Sequence, residues 1–230
     1  MEALSKIAHR RLYPPLSDPG YLALRSRRLI FSAWARQFQN KHLTVLDVGG
    51  RYQPYRPLFD GCIERYYGVD RIKTECVKVV ADGEALPFAP GTFDLIIATQ
   101  VFEYFRNPAQ AAQGMHAALK PGGVLLASFA ACTPRFAEEE LWRFTPSGLS
   151  LMLAPFATVE TVPELHSLGG LIRTVNQGLD KFVRYQSARR AYQWTIGPVL
   201  NLLGLGCEKL NLTSNDQFTT NFSVKAVKEK

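Results

Sequence analysis

The chain has 230 residues, of which 47% are hydrophobic and 20% are charged. This composition can supply a core and excludes a chain that is disordered over most of its length. The longest apolar stretches, such as residues 196–206, are shorter than the roughly 20 residues of a membrane-spanning helix. Residues 1–16 lack the apolar run of a secretory signal, so we expect a cytoplasmic protein. The four cysteines and four histidines are scattered, which predicts no metal site and no disulfide framework.

The net charge of +7 is concentrated in two flanks of the chain. Residues 1–36 carry seven Lys or Arg against two acidic residues, and residues 171–209 carry six against two. The remainder is slightly acidic. We therefore expect any surface that attracts anions to be built from these two flanks.

A single domain over residues 1–230 is predicted, because no repeat, low-complexity tract or Gly/Ser-rich linker divides the chain. Residues 1–40 form a helical flank, in which residues 21–38 place apolar side chains at helical spacing after Asp18-Pro19-Gly20. Five short apolar runs follow within a core over residues 41–130. They are residues 43–48, 66–69, 76–80, 93–98 and 124–129.

Near-continuous apolar strands of this kind are buried on both faces, as in a parallel sheet between two layers of helices. A helix at residues 109–119 opens at Asn107-Pro108 and ends at Lys120-Pro121-Gly122-Gly123. The pattern therefore predicts a doubly wound α/β fold with a mostly parallel sheet.

The half of the chain over residues 131–230 is less regular. A helix start is predicted at residues 145–149, a strand at 156–162 and a terminal strand at 218–227. Residues 171–205, within a helical insertion at about 171–210, predict one or two amphipathic helices interrupted at Gly197-Pro198.

Chemistry is expected first where the first strand ends in Asp47-Val48-Gly49-Gly50, since missing side chains let a backbone approach a ligand closely. A purely structural turn would give the same residues. The G-x-G-x-x-G pattern of nicotinamide-binding proteins is not met, because Arg51 follows the glycine pair. This departure disfavours a nicotinamide oxidoreductase.

The second strand ends at Asp70, where open α/β sheets place an acid that can accept two hydrogen bonds from ribose hydroxyls. A surface carboxylate that caps the next segment is the alternative. Next come Asp82-Gly83, Leu86-Pro87-Phe88 and Phe93-Asp94. Each of these alone is ordinary turn chemistry, but their order is specific.

In this order the motifs resemble the class I S-adenosylmethionine-dependent methyltransferases, in particular the small-molecule, methyltransferase type 11-like branch. The shared pattern is an LDxG loop, an acid after the second strand, "D…LPF…FD", and a helix ending in "LKPGG". The resemblance covers about residues 40–130. It implies a Rossmann-like methyltransferase fold and S-adenosyl-L-methionine as the cofactor.

Position by position, the resemblance implies contacts to three parts of the cofactor. The first loop would surround the amino-acid part, the acid would hold the ribose, and later residues would flank or bind the adenine. In that order these residues are Asp47, Gly49 and Gly50, then Asp70, then Arg71, Ile72, Asp82 and Gly83, with Thr99 and Gln100 lining the pocket.

Two departures from the family pattern affect the site. Arg51 replaces the next glycine of the loop, and we expect it to contact the carboxylate of the cofactor. Many relatives have Glu-His after the fourth strand, whereas this chain has Glu103-Tyr104. A histidine base at that position is therefore absent.

Methyl transfer from a sulfonium is one in-line displacement that depends mainly on positioning, and a hydroxyl acceptor additionally needs a base. Tyr104 and His166 are the candidate bases, and simple packing is the alternative role for both. Trp142 and Arg143 are candidates to face the acceptor. The alternative is a Trp packed in the core beside an exposed Arg.

The basic C-terminal flank interleaves aromatic and basic residues, which suits a lid over the acceptor, a peripheral membrane-surface contact or RNA. No recognised RNA-binding module accompanies it, so nucleic acid is disfavoured. The sequence predicts a methyltransferase acting on a small-molecule acceptor, with a sugar or a lipid-linked intermediate as candidates. A non-catalytic binding or scaffold protein and an RNA-directed methyltransferase are the alternatives.

Overall fold

Seven strands form one sheet in the computed structural model, which describes residues 2–230. The strands are β1 (Leu43–Val48), β2 (Ile63–Asp70), β3 (Val77–Val80), β4 (Phe93–Thr99), β5 (Leu119–Ala130), β6 (Thr158–Pro163) and β7 (Asn221–Val227). Their order is β3-β2-β1-β4-β5-β7-β6. Strands β1 to β5 are parallel, and β7 runs antiparallel between β5 and β6. The predicted doubly wound, mostly parallel α/β fold is confirmed.

Helices precede, connect and follow these strands. They are α1 (Glu2–Leu12), α2 (Tyr21–Ala35), α3 (Pro108–Ala118), α4 (Pro146–Met152), α5 (Ser167–Phe182), α6 (Gln186–Trp194) and α7 (Ile196–Lys209). None of the helices in the described part of the chain is both long and apolar enough to cross a membrane.

The central strands are buried on both faces because successive side chains belong to two different apolar clusters. Leu95 and Ile97 of β4 pack with Phe31 of α2, whereas Ile96 packs with Met115 of α3. Neither face of these strands needs polar residues, which explains the near-continuous apolar runs.

Most of the predicted elements are confirmed within a few residues, but the C-terminal flank differs. It forms three helices, which are separated by residues 183–185 and by Thr195. Gly197-Pro198 instead lies in the first turn of α7, where a proline is tolerated because that turn has no hydrogen bond for its missing N–H. Residues 120–123 belong to the irregular start of β5.

The two basic flanks pack against each other although they are far apart in sequence. Helix α2 contacts both α5 and α7. The side-chain amide of Asn201 in α7 donates to the main-chain oxygens of Leu16 (2.7 Å) and Asp18 (3.0 Å), which precede α2. This packing places both flanks beside the carboxyl ends of the parallel strands.

Candidate functional site

The loop after β1 is held by its own backbone. The N–H groups of Gly49 and Gly50 both donate to the main-chain oxygen of Val69, at 2.9 and 3.1 Å. Gly49 has a φ of +76°, and a Cβ on Gly50 would lie 2.6 Å from the main-chain oxygen of Asp47. The loop therefore requires glycine at both positions.

Asp47 is a buried carboxyl group at the base of this loop. It accepts a hydrogen bond of 2.7 Å from the Tyr66 hydroxyl. Burial raises the pKa of Asp47 to about 7, while the Tyr66 hydrogen bond opposes the rise and the charge of Asp70 adds to it. The structure thus places Asp47 under the loop as a buried carboxyl group that ionises less readily than an exposed aspartate.

Asp70 ends β2 and is bound by Arg51 in this structure. Arg51 Nε and Nη2 lie 3.1 and 3.2 Å from the two Asp70 oxygens, and the Ile72 N–H donates to Oδ1 at 2.9 Å. Arg51, expected to contact the cofactor carboxylate, instead forms a bidentate pair with the acid expected to hold the ribose. A ribose that reached Asp70 would have to share that carboxylate with Arg51 or displace it.

The predicted adenine-binding residues lie at the edge of the same region. Arg71 Nε is 3.9 Å from Asp82 Oδ2, and Ile72 is exposed. The other Asp82 oxygen accepts from the Glu84 N–H at 3.0 Å. Gly83 packs tightly, since a Cβ there would lie 2.7 Å from the Phe105 ring.

Thr99, the last residue of β4, and Gln100, which follows it, line a cavity of about 570 Å³. Gln100 has a φ of +51°, which is uncommon for a residue with a side chain and is found at functional sites. Its N–H donates to the main-chain oxygen of Ser128 on β5 at 3.0 Å. The volume is within the usual range for a small-molecule site.

Both basic flanks line this cavity. Six cationic side chains are among its walls, and all six come from residues 1–36 or 171–209. They are Arg10, Arg11, Arg27, Arg173, Lys181 and Arg189. The lining also includes four acidic residues, which are Asp18, Glu103, Glu140 and Asp180, so the cations outnumber the acids and the uneven charge distribution in the sequence gives the wall an excess of positive charge.

Three of these cations have carboxylate partners. Arg10 pairs with Asp18 at 3.1 Å, and Arg189 pairs with Asp180. Arg27 binds Glu164 through two bonds, Nε–Oε1 at 2.5 Å and Nη2–Oε2 at 3.0 Å, and both side chains are buried.

Tyr104 and Glu103 lie on the wall of the cavity next to the end of β4. The Tyr104 hydroxyl donates to Glu140 Oε1 at 3.3 Å, and burial raises the pKa of Tyr104 to about 12. Such a phenol is a poor base at neutral pH. Glu103 accepts a hydrogen bond from the Ala130 N–H through Oε1, and burial raises the pKa of Glu103 to about 7.

The remaining predicted site residues are not among those that line the cavity. His166 precedes α5, and its Nδ1 lies 3.0 Å from Glu208 Oε2 in α7. The Trp142 indole donates to the Phe105 main-chain oxygen at 2.7 Å, and Arg143 Nη2 donates to Glu140 at 2.6 Å. These contacts hold segments together.

Sequence reasoning did not single out Arg27, Glu103, Arg173 or Gln177, which also line the cavity. They come from three separate segments, since Arg27 belongs to α2, Glu103 follows β4, and Arg173 and Gln177 belong to α5, so no local motif joins all four. The charge of the two flanks was the signal that could have identified the arginines.

Comparison with known proteins identifies the central region. A family model described as a methyltransferase domain matches residues 46–127. A protein of Mycolicibacterium gilvum named an uncharacterized methyltransferase is 28% identical over 138 residues, which are 55% of this chain and 52% of that protein. The human mitochondrial arginine-hydroxylase NDUFAF5 is 29% identical over 102 residues, 41% of this chain and 28% of that protein. These matches span about half or less of the curated relatives.

Solved structures show the same fold at low identity. Phosphoethanolamine N-methyltransferase 2 of Haemonchus contortus, in complex with S-adenosyl-L-methionine, superposes with a TM-score of 0.54 and 13% identity. The superposition covers 97% of this chain and 60% of that one. At this identity the likeness concerns the fold.

Proposed function

The chain carries a class I S-adenosylmethionine-dependent methyltransferase domain, and from this premise we propose that it transfers a methyl group from S-adenosyl-L-methionine to an acceptor in the cavity. The supporting observation is the position of that cavity. Its wall includes Thr99 and Gln100 at the end of β4, beside the switch in strand order between β1 and β4 where open α/β sheets bind ligands.

The polar groups at the strand ends suit this cofactor. Asp70 and Asp82 are acids that can accept hydrogen bonds from hydroxyl and amino groups, and Gly49 and Gly50 bring a backbone without side chains to the same edge. When bound, the cofactor supplies an electrophilic methyl group on a sulfonium. The cavity walls would orient the acceptor and exclude water from it.

Calorimetric titration with S-adenosylhomocysteine tests the cofactor assignment. We expect binding by the native protein and its loss in Asp70→Ala. The exposed Asp60→Ala is the matched control and should bind as the native protein does. Absence of binding heat in the native protein would overturn the proposal.

A second candidate, a binding protein that uses the fold without methyl transfer, is favoured by the Arg51–Asp70 pair. In this pair, Arg51 binds both oxygens of the carboxylate that was expected to hold the ribose. One relative is moreover named a hydroxylase, so the domain alone does not specify methyl transfer. Release of S-adenosylhomocysteine with a cell extract as the acceptor source would refute this candidate, and mass spectrometry of the product would identify the acceptor.

For the acceptor, we favour a lipid-linked molecule over a freely soluble sugar, because α5 presents its apolar side outward. Leu171, Val175 and Leu179 recur at helical spacing and are 42 to 45% exposed. The buried positions of the same helix are polar or glycine. They are Gly169, Gly170, Arg173, Asn176, Gln177 and Asp180.

Helix α7 likewise buries polar and glycine residues and exposes apolar ones. Gly197, Asn201 and Gly204 are its buried residues, whereas Ile196 and Leu203 are more than half exposed. The neighbouring aromatic residues are the most exposed, with 85% for Phe182 and 77% for Trp194. An apolar surface of this extent usually marks an interaction site.

The basic residues beside this surface favour an anionic membrane as its partner. Arg184 and Arg190 are exposed, and each lies within a few residues of Phe182 or Trp194. Apolar side chains that enter the interface together with cations that contact anionic headgroups are the pattern of peripheral membrane helices. Docking there would bring the cavity to a lipid-linked acceptor.

Vesicle sedimentation tests this surface. We expect the protein to bind phosphatidylcholine vesicles that contain phosphatidylglycerol, and to bind vesicles of phosphatidylcholine alone more weakly. Phe182→Ser should weaken binding roughly tenfold, because a buried aromatic side chain contributes about 1.5–3 kcal/mol.

The matched control is Leu151→Ser on α4, which removes an apolar side chain that is 80% exposed. It should leave vesicle binding unchanged. If the native protein binds neither kind of vesicle, or if both variants bind the vesicles as tightly as the native protein does, the membrane assignment is wrong. A dimer in solution that Phe182→Ser dissociates would assign the surface to a second copy instead.

A further inference from the structure

We propose that Arg173, in the wall of the cavity, binds an anionic group of the acceptor, a carboxylate or a phosphate, and that Arg11 adds positive charge to the same cavity. This inference rests on the proposed function and adds the chemical class of the acceptor. Its first support is the unequal pairing of the cavity cations. Arg10, Arg27 and Arg189 have carboxylate partners, whereas Arg11, Arg173 and Lys181 form no ion pair with the residues that the structure describes.

Arg173 is the central observation because it is buried and only partly hydrogen-bonded. It is 4% exposed, and its Nη1 donates to the Thr133 hydroxyl at 2.6 Å. Its Nε has no hydrogen-bond partner among the described residues. The guanidinium also lies 5.9 Å from the centre of the Phe136 ring. A buried guanidinium whose partners are a neutral hydroxyl and an aromatic ring is costly, and an anion would compensate its charge.

Glu164, the acid that acts most strongly on Arg173, does not meet this need. Glu164 is already bound by both nitrogens of Arg27, and it also accepts from Asn221 at 3.0 Å and from Ser223 at 3.0 Å. Burial lowers the pKa of Arg173 to about 10, Glu164 and Asp18 oppose this fall, and the second positive charge of Arg27 adds to it. The guanidinium still carries its proton at neutral pH, so the site stays cationic.

Arg11 extends this positive wall from the other flank. Its guanidinium lies 4.7 Å from the centre of the Tyr52 ring, and its side chain is one of those that line the cavity. Guanidinium groups bind carboxylates and phosphates through paired N–H donors, and a further positive charge in the wall favours an anion in the cavity.

The cofactor's own carboxylate is a less suitable occupant. The loop expected to hold it comprises Asp47, Gly49, Gly50 and Arg51, and none of these residues lines the cavity. The anion is therefore assigned to the acceptor, with which it would fix the orientation of the reacting atom.

Titration with inorganic phosphate, and separately with acetate, tests the site at constant ionic strength, with and without saturating S-adenosylhomocysteine. We expect one of these anions to bind and to raise the melting temperature. Arg173→Gln should weaken that binding about tenfold or more, as expected for the loss of a charged hydrogen-bonding partner. Arg65→Gln, which removes the same charge at an exposed position of β2, should not change it.

The outcomes separate this inference from the proposed function. Unchanged anion binding in Arg173→Gln, or no binding of either anion by the native protein, overturns it even if S-adenosylhomocysteine binds. Weakened S-adenosylhomocysteine binding with unchanged phosphate and acetate binding would assign Arg173 to the cofactor instead. If Arg173→Gln fails to fold, Arg11→Gln on the exposed helix must weaken anion binding for the inference to stand.

For the source of the anionic group, the same titrations are repeated with a short-chain, soluble phosphatidic acid. Binding at least as tight as that of inorganic phosphate, and weakened by Arg173→Gln, indicates a lipid headgroup at the site. Binding of inorganic phosphate or acetate without binding of this lipid indicates a soluble acceptor.

Discussion

The sheet half, which comprises strands β1 to β7 and the segments that connect β1 to β6, differs from the flank of helices α5 to α7 in the kind of residue that it buries. In the sheet half, apolar side chains such as Ile96, Phe102 and Phe129 are fully buried, and polar groups lie at the strand ends. In the flank, the buried positions of α5 and α7 carry polar residues and glycines, and leucines face outward. One chain therefore contains an apolar core beside a hydrogen-bonded core.

The hydrogen-bonded core is organised around Asn176. Its Nδ2 donates to the Asn201 side chain at 3.1 Å and to the Gly197 main-chain oxygen at 3.2 Å, and its Oδ1 accepts from the Tyr192 hydroxyl at 2.6 Å. Such a network holds three helices in one arrangement without using their apolar faces. Those faces remain available for a partner.

The largest expected effect comes from truncating one phenylalanine in each region. Phe129→Ala should destabilise the protein by about 3–5 kcal/mol, because it leaves a cavity in the apolar core. Phe182→Ala should change the free energy of unfolding by no more than about 0.5 kcal/mol, because this side chain is 85% exposed. Urea denaturation measures both. Similar losses of stability in the two variants would show that the two regions do not differ in how they use apolar side chains.

A buried acid in each region gives the next prediction, because the two pKa values shift in opposite directions. Burial raises the pKa of Glu103 to about 7 from 4.5. For Asp180, burial acts in the same direction, but hydrogen bonds from Arg189 and Gln193 lower its pKa below the ordinary value. Glu103 is buried without an ion pair to a cation, whereas Asp180 is paired with Arg189.

The direction in which each acid makes the stability depend on pH follows from the direction of its pKa shift. Glu103 is favoured in its protonated form by folding, so its stabilisation is present below pH 4.5 and is lost as the pH rises to about 7, by roughly 3 kcal/mol. Asp180 stabilises the folded state above its unfolded pKa and loses this contribution as the pH falls through its folded pKa.

Urea denaturation between pH 5 and pH 8 tests the larger of these two effects. Glu103→Gln should lose less stability than the native protein across this range, because it has no carboxyl to ionise. Asp180→Asn should not alter the slope there, since its titration lies at lower pH. Equal slopes for the native protein and Glu103→Gln would show that Glu103 is ionised in the fold without cost.

The sheet half could be predicted from the sequence because its physics is local. Each strand buries both faces, so residues 43–48 and 93–98 are readable as apolar runs without knowledge of their neighbours. The flank could not be predicted to the same degree. The buried role of Asn176 depends on Tyr192 and Asn201, which other helices supply. Its helix count and inverted faces therefore required the structure.

The candidate site divides in the same way. The loop and acids at the ends of β1 and β2 follow from local motifs, although the pairing of Arg51 with Asp70 was not expected. The cavity wall is a tertiary property, because Arg27 and Arg173 come from opposite ends of the chain. Their total charge was readable, but their partners were not.

The smallest expected effect concerns the hydrogen-bonded core itself. Asn176→Ala removes the partner of Asn201 and Tyr192 and should cost about 1–3 kcal/mol, as for buried polar groups left unsatisfied. The sheet half should keep its stability, so hydrogen exchange measures the loss by region: faster exchange in α5 and α7 with unchanged protection in β1 and β4. Ser150→Ala on exposed α4 is the control. If protection falls equally in the strands, the two regions unfold as one unit, and the polar helices would then be part of the same cooperative core as the sheet.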